Sequence, residues 1–161
     1  MINNLNYISL FSAAGVGCYG FKLEKFKCVA TCELLEKRIK IQKNNNICEN
    51  NDGYITGDIS TPRIQKKIIE LSNKFKIKNN FKNITLILAT PPCQGISVAN
   101  HKKKNEINRN SLIVQSFMIT KNVLPKFFIF ENVQGFLKTL CMDVDGDLIP
   151  IETSLKKKSI K

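Results

Sequence analysis

Cys93 is the residue with the clearest setting for covalent chemistry. It lies in the turn Pro91–Gly95, which reads Pro-Pro-Cys-Gln-Gly and directly follows the apolar run Ile84–Ala89. In an open α/β sheet, ligands bind beyond the carboxyl ends of the strands, so a turn at that position faces the crevice. Two prolines stiffen the turn, and a thiolate displayed there can attack a substrate atom. An unreactive loop cysteine is the alternative, and we predict that Cys93 is a nucleophile.

Glu131 follows a second apolar run, Phe127–Phe130, and begins the sequence Glu-Asn-Val together with Asn132. If the two apolar runs are neighbouring strands, Glu131 lies at the edge of the crevice that Cys93 faces. A carboxyl group beside a nucleophile can donate a proton to the substrate. A helix N-cap pair is the alternative interpretation of the same two residues.

The glycines of the segment Phe11–Gly20 indicate a site for a nucleotide-type ligand. Gly15, Gly17 and Gly20 fit the GxGxxG spacing, in which residues without side chains let a ligand approach backbone N–H groups. The segment follows a short apolar run that predicts a buried strand and a tight turn. By itself this spacing is a weak signal.

Acidic residues follow the next two apolar runs. Glu33 comes directly after the run Lys27–Cys32, where a carboxylate can accept hydrogen bonds from both hydroxyls of a ribose. It could equally be the first-turn acid of a helix. Asp58 and Ile59 offer a carboxylate beside an apolar side chain, which suits an adenine. For Asp58 taken alone, a solvent-facing turn is the favoured interpretation.

The elements that must position these residues predict an α/β fold. Apolar runs alternate with segments of helical spacing, which implies a mostly parallel sheet covered on both faces. The predicted strands are Tyr7–Phe11, Lys27–Cys32, Ile55–Ile59, Ile84–Ala89 and Phe127–Phe130. The predicted helices are Tyr19–Lys25, Leu34–Lys43, Pro62–Phe75 and Leu112–Leu124, with Asn100–Asn110 as a basic loop before the last of them.

Composition bounds the class of protein. A chain of 161 residues fits one domain, and none of its apolar runs reaches the roughly 18 residues of a membrane helix, so we expect a cytoplasmic protein. The net charge of +12 suggests a nucleic-acid partner. The alternative is a compositional bias, because lysine, isoleucine and asparagine are the residues that AT-rich coding sequence favours. Six cysteines without a CxxC pair suit neither a disulfide framework nor a metal site.

In order and spacing, these segments resemble the DNA cytosine-5 methyltransferases over about residues 7–140. The pair formed by Pro-Cys-Gln and Glu-Asn-Val is the specific part of the resemblance, and the segment Arg109–Leu112 resembles a further block between them. It implies that the S-adenosylmethionine site is formed by Phe11, Ala13, Gly15, Gly17, Glu33, Leu34, Asp58 and Ile59. It also implies that Cys93 and Glu131 are catalytic and that Pro92, Gln94, Ser97, Lys102, Lys103, Arg109 and Asn132 contact the target base or the DNA.

The resemblance implies a Rossmann-like methyltransferase fold and a covalent mechanism. The target cytosine leaves the DNA duplex, and the Cys93 thiolate adds to its carbon 6 while Glu131 protonates or hydrogen-bonds ring nitrogen 3. Carbon 5 then takes the methyl group, after which its proton and Cys93 leave. Three residues depart from the family pattern: Cys18 replaces a glycine, Ser9 replaces an acid, and Leu34 stands where an aromatic residue is common.

The segment after Val133 departs furthest from the family, whose members continue with a target-recognition region. We therefore expect a cofactor-binding and catalytic lobe over residues 1–140, a basic tail over 141–161, and a sheet incomplete on its C-terminal side. We further expect a second polypeptide and a place in a restriction-modification system. The alternatives are an NAD(P)-binding oxidoreductase fragment, which GxGxxG alone supports, and an inactive remnant that binds DNA through its charge.

Overall fold

A parallel sheet of five strands forms the centre of the protein. The computed structural model describes residues 5–92, 103–132, 140–142, 146–150 and 152–153. The strands are β1 (Asn6–Leu10), β2 (Lys27–Glu33), β3 (Tyr54–Thr56), β4 (Leu86–Ala89) and β5 (Phe127–Phe130). Their order in the sheet is β3-β2-β1-β4-β5, and all four pairings are parallel. The predicted α/β class with a mostly parallel sheet is confirmed.

Helices cover both faces of this sheet. They are α1 (Val16–Leu23), α2 (Glu36–Asn44), α3 (Pro62–Lys78) and α4 (Lys103–Val123). Ile8 and Leu10 point to the face where Ile68 of α3 and Ile119 of α4 pack. Tyr7 points to the opposite face, where Cys18 of α1 and Ile39 of α2 pack. Successive strand residues alternate between the faces, so one five-residue strand supplies both cores.

The central strands are buried along their whole length, which explains why their sequences are apolar runs and not alternating patterns. All five residues of β1 and all four of β4 are buried. Parallel strands covered on both faces show this near-continuous apolar character. None of the helices within the described ranges is long and apolar enough to cross a membrane.

Several predicted boundaries are wrong, and three of them concern the candidate site. Helix α1 begins at Val16, directly after its N-cap Gly15, and not at Tyr19. Strand β3 ends at Thr56, so Asp58 and Ile59 lie in the loop that follows it.

The third wrong boundary is that of α4, which starts at Lys103 and not at Leu112. Residues 103–110 are therefore helical and not part of a loop, and Arg109 lies inside the helix instead of opening it. The asparagines at 105, 108 and 110 have low helix propensity, and tertiary packing of the later turns overrides such local preferences.

A small antiparallel hairpin follows the sheet. Strands β6 (Leu140–Met142) and β7 (Leu148–Pro150) pair with each other, and β6 lies against α4. Gly146, with φ of +89°, lies between the two strands, in a conformation that glycine adopts readily. The sequence predicted only a basic tail over residues 141–161 and no strands in this segment.

Candidate functional site

A cavity of about 500 Å³ opens at the carboxyl ends of β1, β2, β3 and β4. Its position follows from the topology, because loops that leave parallel strands at the same edge converge there. Its volume lies within the range of about 300–1,000 Å³ that ligand pockets show. The residues that line it are Phe11, Ala13, Cys32, Glu33, Leu34, Leu35, Arg38, Gly57, Asp58, Ile59, Thr90, Pro92 and Leu112.

Glu33 is the buried charge of this cavity, at 5% exposure. Its Oε2 accepts a hydrogen bond from the Ala13 N–H at 2.9 Å. Its Oε1 accepts from the Leu35 N–H at 3.1 Å and from the Arg38 guanidinium at 3.2 Å. Three donors compensate for the lost hydration of the carboxylate and hold it in one orientation. Glu33 is the last residue of β2, while Glu36 occupies the first turn of α2, so the alternative of a first-turn acid is wrong.

The loop between β1 and α1 contains two residues in the left-handed region that are not glycine. Phe11 has φ of +57° and Ala13 has φ of +47°. Such conformations cost of order 1–3 kcal/mol and persist where surrounding contacts impose them. The Phe11 carbonyl accepts a hydrogen bond from Thr90 Oγ1 at 3.1 Å, and the Ser12 N–H donates to the Cys32 carbonyl at 3.0 Å. The structure thus holds this loop, which we call the cofactor loop (residues 11–15), against β2 and β4.

The predicted glycines have structural roles beside the cavity and do not line it. Gly15 has φ of +87°, and a Cβ added to it would lie 3.1 Å from Ile47 Cγ1. A Cβ at Gly17 would meet Leu88 at 3.7 Å, an ordinary contact distance. The GxGxxG spacing therefore marks a tight turn into α1, while the cavity itself is lined by Phe11 and Ala13.

Asp58 and Ile59 both line the cavity, although they follow β3 and do not end it. Asp58 is exposed, and its Oδ1 accepts hydrogen bonds from the N–H and the Oγ of Ser60 at 2.8 and 2.7 Å. The favoured interpretation of a solvent-facing turn is confirmed for this carboxylate. Ile59 is 4% exposed and supplies apolar surface.

Several lining residues were absent from the sequence prediction. Arg38 reaches Glu33 because helical geometry brings the first turn of α2 back over the end of β2. Thr90 directly follows β4 and Leu112 lies in α4, so both are far from Glu33 along the chain. The position directly after β4 was a usable signal for Thr90, because carboxyl-end loops line such crevices. Leu112 ends the segment Arg109–Leu112 that the family resemblance marked, while no comparable signal in the sequence pointed to Arg38.

Cys32 also lines the cavity, but as a neutral thiol. Burial, together with the negative charges of Glu33 and Asp58, raises the pKa of Cys32 to about 12. A neutral buried thiol is a poor nucleophile. Cys28 and Cys48 are likewise buried and free, with their Sγ atoms 3.0 Å apart. Within the described part of the chain, no cluster of three or more His, Cys, Asp or Glu side chains could hold a metal ion.

Glu131 and Asn132 lie beside the segment that leads to Cys93. The Glu131 N–H donates to the Ala89 carbonyl at 3.0 Å, and Asn132 Nδ2 donates to the Pro91 carbonyl at 3.3 Å. These bonds join the carboxyl ends of β4 and β5, as the neighbouring-strand prediction requires. Cys93, Gln94, Ser97 and Lys102 lie outside the described residues, and for Lys103 and Arg109 only the helical backbone is described.

Comparisons with known proteins agree with this arrangement. Residues 5–141 match the family model described as C-5 cytosine-specific DNA methylase. The chain is 32% identical to the type II methyltransferase M1.HgaI of Avibacterium volantium over 97% of its length, and 30% identical to M.DdeI of Desulfomicrobium norvegicum over 93%. A solved structure, described as a DNA modification methyltransferase encoded within an E. coli prophage, matches 83% of the chain with 27% identity and a TM-score of 0.53.

The chain is much shorter than these relatives. It spans 42% of M1.HgaI, 33% of M.DdeI and 33% of the solved prophage protein. The matches therefore concern one part of each relative.

Proposed function

Because the chain belongs to the C-5 cytosine-specific DNA methylase family, we propose that it is the cofactor-binding and catalytic lobe of an enzyme that methylates carbon 5 of cytosine in DNA. The observation that carries this proposal is that the carboxyl ends of the strands meet at one edge of the sheet. One crevice holds the Glu33 carboxylate at the end of β2, and hydrogen bonds tie the Glu131 turn to the segment before Cys93. The names of the relatives support a place in a restriction-modification system.

The cavity suits S-adenosylmethionine, which supplies the reactive methyl group when it is bound. Ribose hydroxyls are donors, and Glu33 Oε2 accepts one hydrogen bond from the described part of the chain, so it can accept another. Arg38 is about half exposed and can leave Oε1 free for a second hydroxyl. Ile59 and the exposed Leu34 provide apolar surface for the adenine. The cofactor roles predicted for Glu33, Leu34, Asp58 and Ile59 are thus compatible with their positions.

In the proposed reaction, Cys93 is the nucleophile and Glu131 the proton donor. The Cys93 thiolate adds to carbon 6 of the cytosine, and Glu131 protonates or hydrogen-bonds ring nitrogen 3. This addition breaks the conjugation of the ring, so carbon 5 becomes nucleophilic enough to accept a methyl group. Loss of the carbon-5 proton then expels the thiolate and restores the ring. Pro92 lines the cavity, which supports a position of this turn near a bound cofactor.

The DNA roles are proposed from charge and position. A chain with net charge +12 attracts phosphates, and Lys102, Lys103 and Arg109 are the proposed contacts near the crevice. Such contacts position DNA but carry no sequence information. Gln94, Ser97 and Asn132 are proposed to face the flipped base, which is recognised through hydrogen bonds to its edge.

A second polypeptide, or a further segment of a longer chain, is proposed to complete the enzyme. Phe127 and Ile129 of β5 are 66% and 46% exposed on the same face of the sheet as α1. Val16, Tyr19 and Leu23 form an exposed apolar stripe along α1. We call these five residues the open face. Because the relatives are more than twice as long, we propose that their additional region has a counterpart that covers this face.

Two experiments test the proposal. Cys93→Ser in the completed enzyme should abolish methylation and covalent trapping on DNA that contains 5-fluorocytosine, while S-adenosylmethionine binding persists. Trapping by the Cys93→Ser protein would contradict the assignment. NADH, the ligand of the oxidoreductase alternative, serves as the control ligand in the binding assay.

For the second polypeptide, the chain alone is assayed for methyl transfer to mixed-sequence DNA. We expect no turnover and self-association through the open face. Turnover at specific sites by a monomer would overturn this part of the proposal.

A further inference from the structure

Gln42 is the one fully buried polar side chain of α2, at 0% exposure, and it reaches the cofactor loop. Its Nε2 donates hydrogen bonds to Ser12 Oγ at 2.8 Å and to the Ala13 carbonyl at 2.6 Å. Gln42 lies 30 positions from Ser12 and 29 positions from Ala13 in the chain, so neither bond belongs to local helix structure. Gln42 does not itself line the cavity.

The Ala13 residue is therefore fixed from both sides. Its N–H donates to Glu33 Oε2, and its carbonyl accepts from Gln42. Ala13 has φ of +47°, a conformation that an alanine keeps only where its surroundings impose it. Gln42 thus acts on Glu33 through a single residue, Ala13, whose backbone carries both hydrogen bonds.

Packing alone does not account for a glutamine at this position. Gln42 Oε1 is buried and has no hydrogen-bond partner among the described residues, which is unfavourable for stability. An apolar side chain of similar volume would fill the same space without that penalty. What an apolar side chain lacks is the pair of N–H donors that match the two acceptors of the loop.

Further contacts hold Gln42 in place. The main-chain carbonyl of Gln42 accepts hydrogen bonds from the Ile47 N–H at 3.1 Å and from the Tyr54 hydroxyl at 3.4 Å. Its Cγ lies 3.2 Å from the position of a Cβ added to Gly15, so the helix packs directly on the loop. The amide is thereby rigidly placed against its two acceptors.

From these observations we propose that Gln42 is a positioning residue, which holds the cofactor loop and, through Ala13, orients Glu33 toward the ribose. The proposal rests on the proposed function, because it assumes that this cavity binds S-adenosylmethionine. It assigns to Gln42 a role in ligand affinity that neither the glycine spacing nor the cavity lining indicates.

The test measures affinity for S-adenosylhomocysteine by calorimetry in four proteins: the full chain, Gln42→Met, Glu33→Gln and the double variant. Gln42→Met should weaken binding about tenfold, which corresponds to one hydrogen bond of ordinary strength. In the Glu33→Gln background, the same change should have a much smaller effect, because residues that act through one another are not additive. Ile39→Met, one turn earlier on the same buried side of α2, is the matched control and should leave affinity unchanged.

Each outcome either supports or overturns the positioning role of Gln42. Equal affinity of Gln42→Met and the unaltered chain, or equal effects in both Glu33 backgrounds, would overturn the positioning role. A Gln42→Met chain that fails to fold would overturn it too, since the argument requires methionine to fill this space without loss of stability. If the unaltered chain binds no S-adenosylhomocysteine, the proposed function itself fails, which the wild-type measurement shows independently of Gln42.

Discussion

Strands β1 and β5 lie two positions apart in one sheet, yet every residue of β1 is buried while Phe127 and Ile129 of β5 are exposed. Strand β1 has paired neighbours on both sides and helices on both faces. Strand β5 pairs only with β4 among the described strands, and α4 covers the face that carries Phe128 and Phe130. Its other face carries Phe127 and Ile129, which are part of the open face.

The difference separates two kinds of surface within one fold. Around β1 and β2, the chain supplies its own core and a cavity with an oriented carboxylate. Around β5, it leaves apolar side chains in water, as surfaces that bind other protein segments do. In the proposed function, cofactor binding depends on residues present in this chain, whereas the far side of the crevice depends on what covers the open face.

The strongest test of this comparison replaces one isoleucine of the buried part of the sheet, on β4, and one of β5. Ile87 of β4 is 0% exposed and Ile129 of β5 is 46% exposed. Ile87→Ala should lower the free energy of unfolding by about 2–5 kcal/mol, because it leaves a cavity in the core. Ile129→Ala should change it by less than about 0.5–1 kcal/mol. Urea unfolding of both variants measures the difference, and equal losses would show that β5 is covered in solution.

Glu33→Gln tests whether the region around β1 and β2 binds the cofactor by itself. The neutral amide loses charge-assisted hydrogen bonds of about 1.5–3 kcal/mol each, so S-adenosylhomocysteine should bind at least tenfold more weakly. Glu36→Gln is the matched control, since the Glu36 side chain is 72% exposed and pairs only with Lys40 among the described residues. Titration calorimetry on the folded chain measures both, and equal affinities of the two variants would argue against the ribose role.

Alkaline pH should destabilise the core around β1 and β2. Burial raises the pKa of Cys32 to about 12 from an ordinary value of 9.0, and it also raises the pKa values of Cys18, Cys28 and Tyr7. In the unfolded chain these groups lose their protons at lower pH than in the fold. Their contribution to stability is therefore complete below about pH 9 and is lost as the pH rises toward 12.

Denaturant unfolding at a series of pH values should show this decline. In Cys32→Ala the slope of stability against pH should be shallower between pH 9 and 12, because one raised pKa is removed. An identical slope in the variant would mean that Cys32 ionises normally in the fold.

The smallest effect on stability is expected at the open face. Phe127→Lys combined with Ile129→Lys should change the free energy of unfolding by about 0.5 kcal/mol or less, because both side chains are already exposed. Self-association of the isolated chain should fall, as sedimentation velocity would measure. Ile77→Lys, at a residue 82% exposed near the end of α3, is the control and should leave association unchanged. Unaltered association of the double variant would contradict the role of the open face.

Much of the fold could be predicted because it follows from short-range patterns. Apolar runs separated by helical segments predicted all five strands of the sheet and their parallel arrangement. The boundaries failed where local propensity and tertiary packing disagree, as at the asparagine-rich start of α4. The strands β6 and β7 were missed because neither three-residue segment carries a recognisable period.

The sequence by itself determined where reactive groups fall relative to strand ends. Glu33 ends β2 and Glu131 follows β5 because the apolar runs stop there, and the parallel topology then brings these ends to one edge. Tertiary structure alone decided which of them are held in place. The bonds from Gln42 to Ser12 and Ala13 join residues about 30 positions apart, and they form only after strand register and helix packing are set. Such distant pairings leave no periodic signal in the chain, so the sequence pointed to the carboxylate but not to the amide that supports its loop.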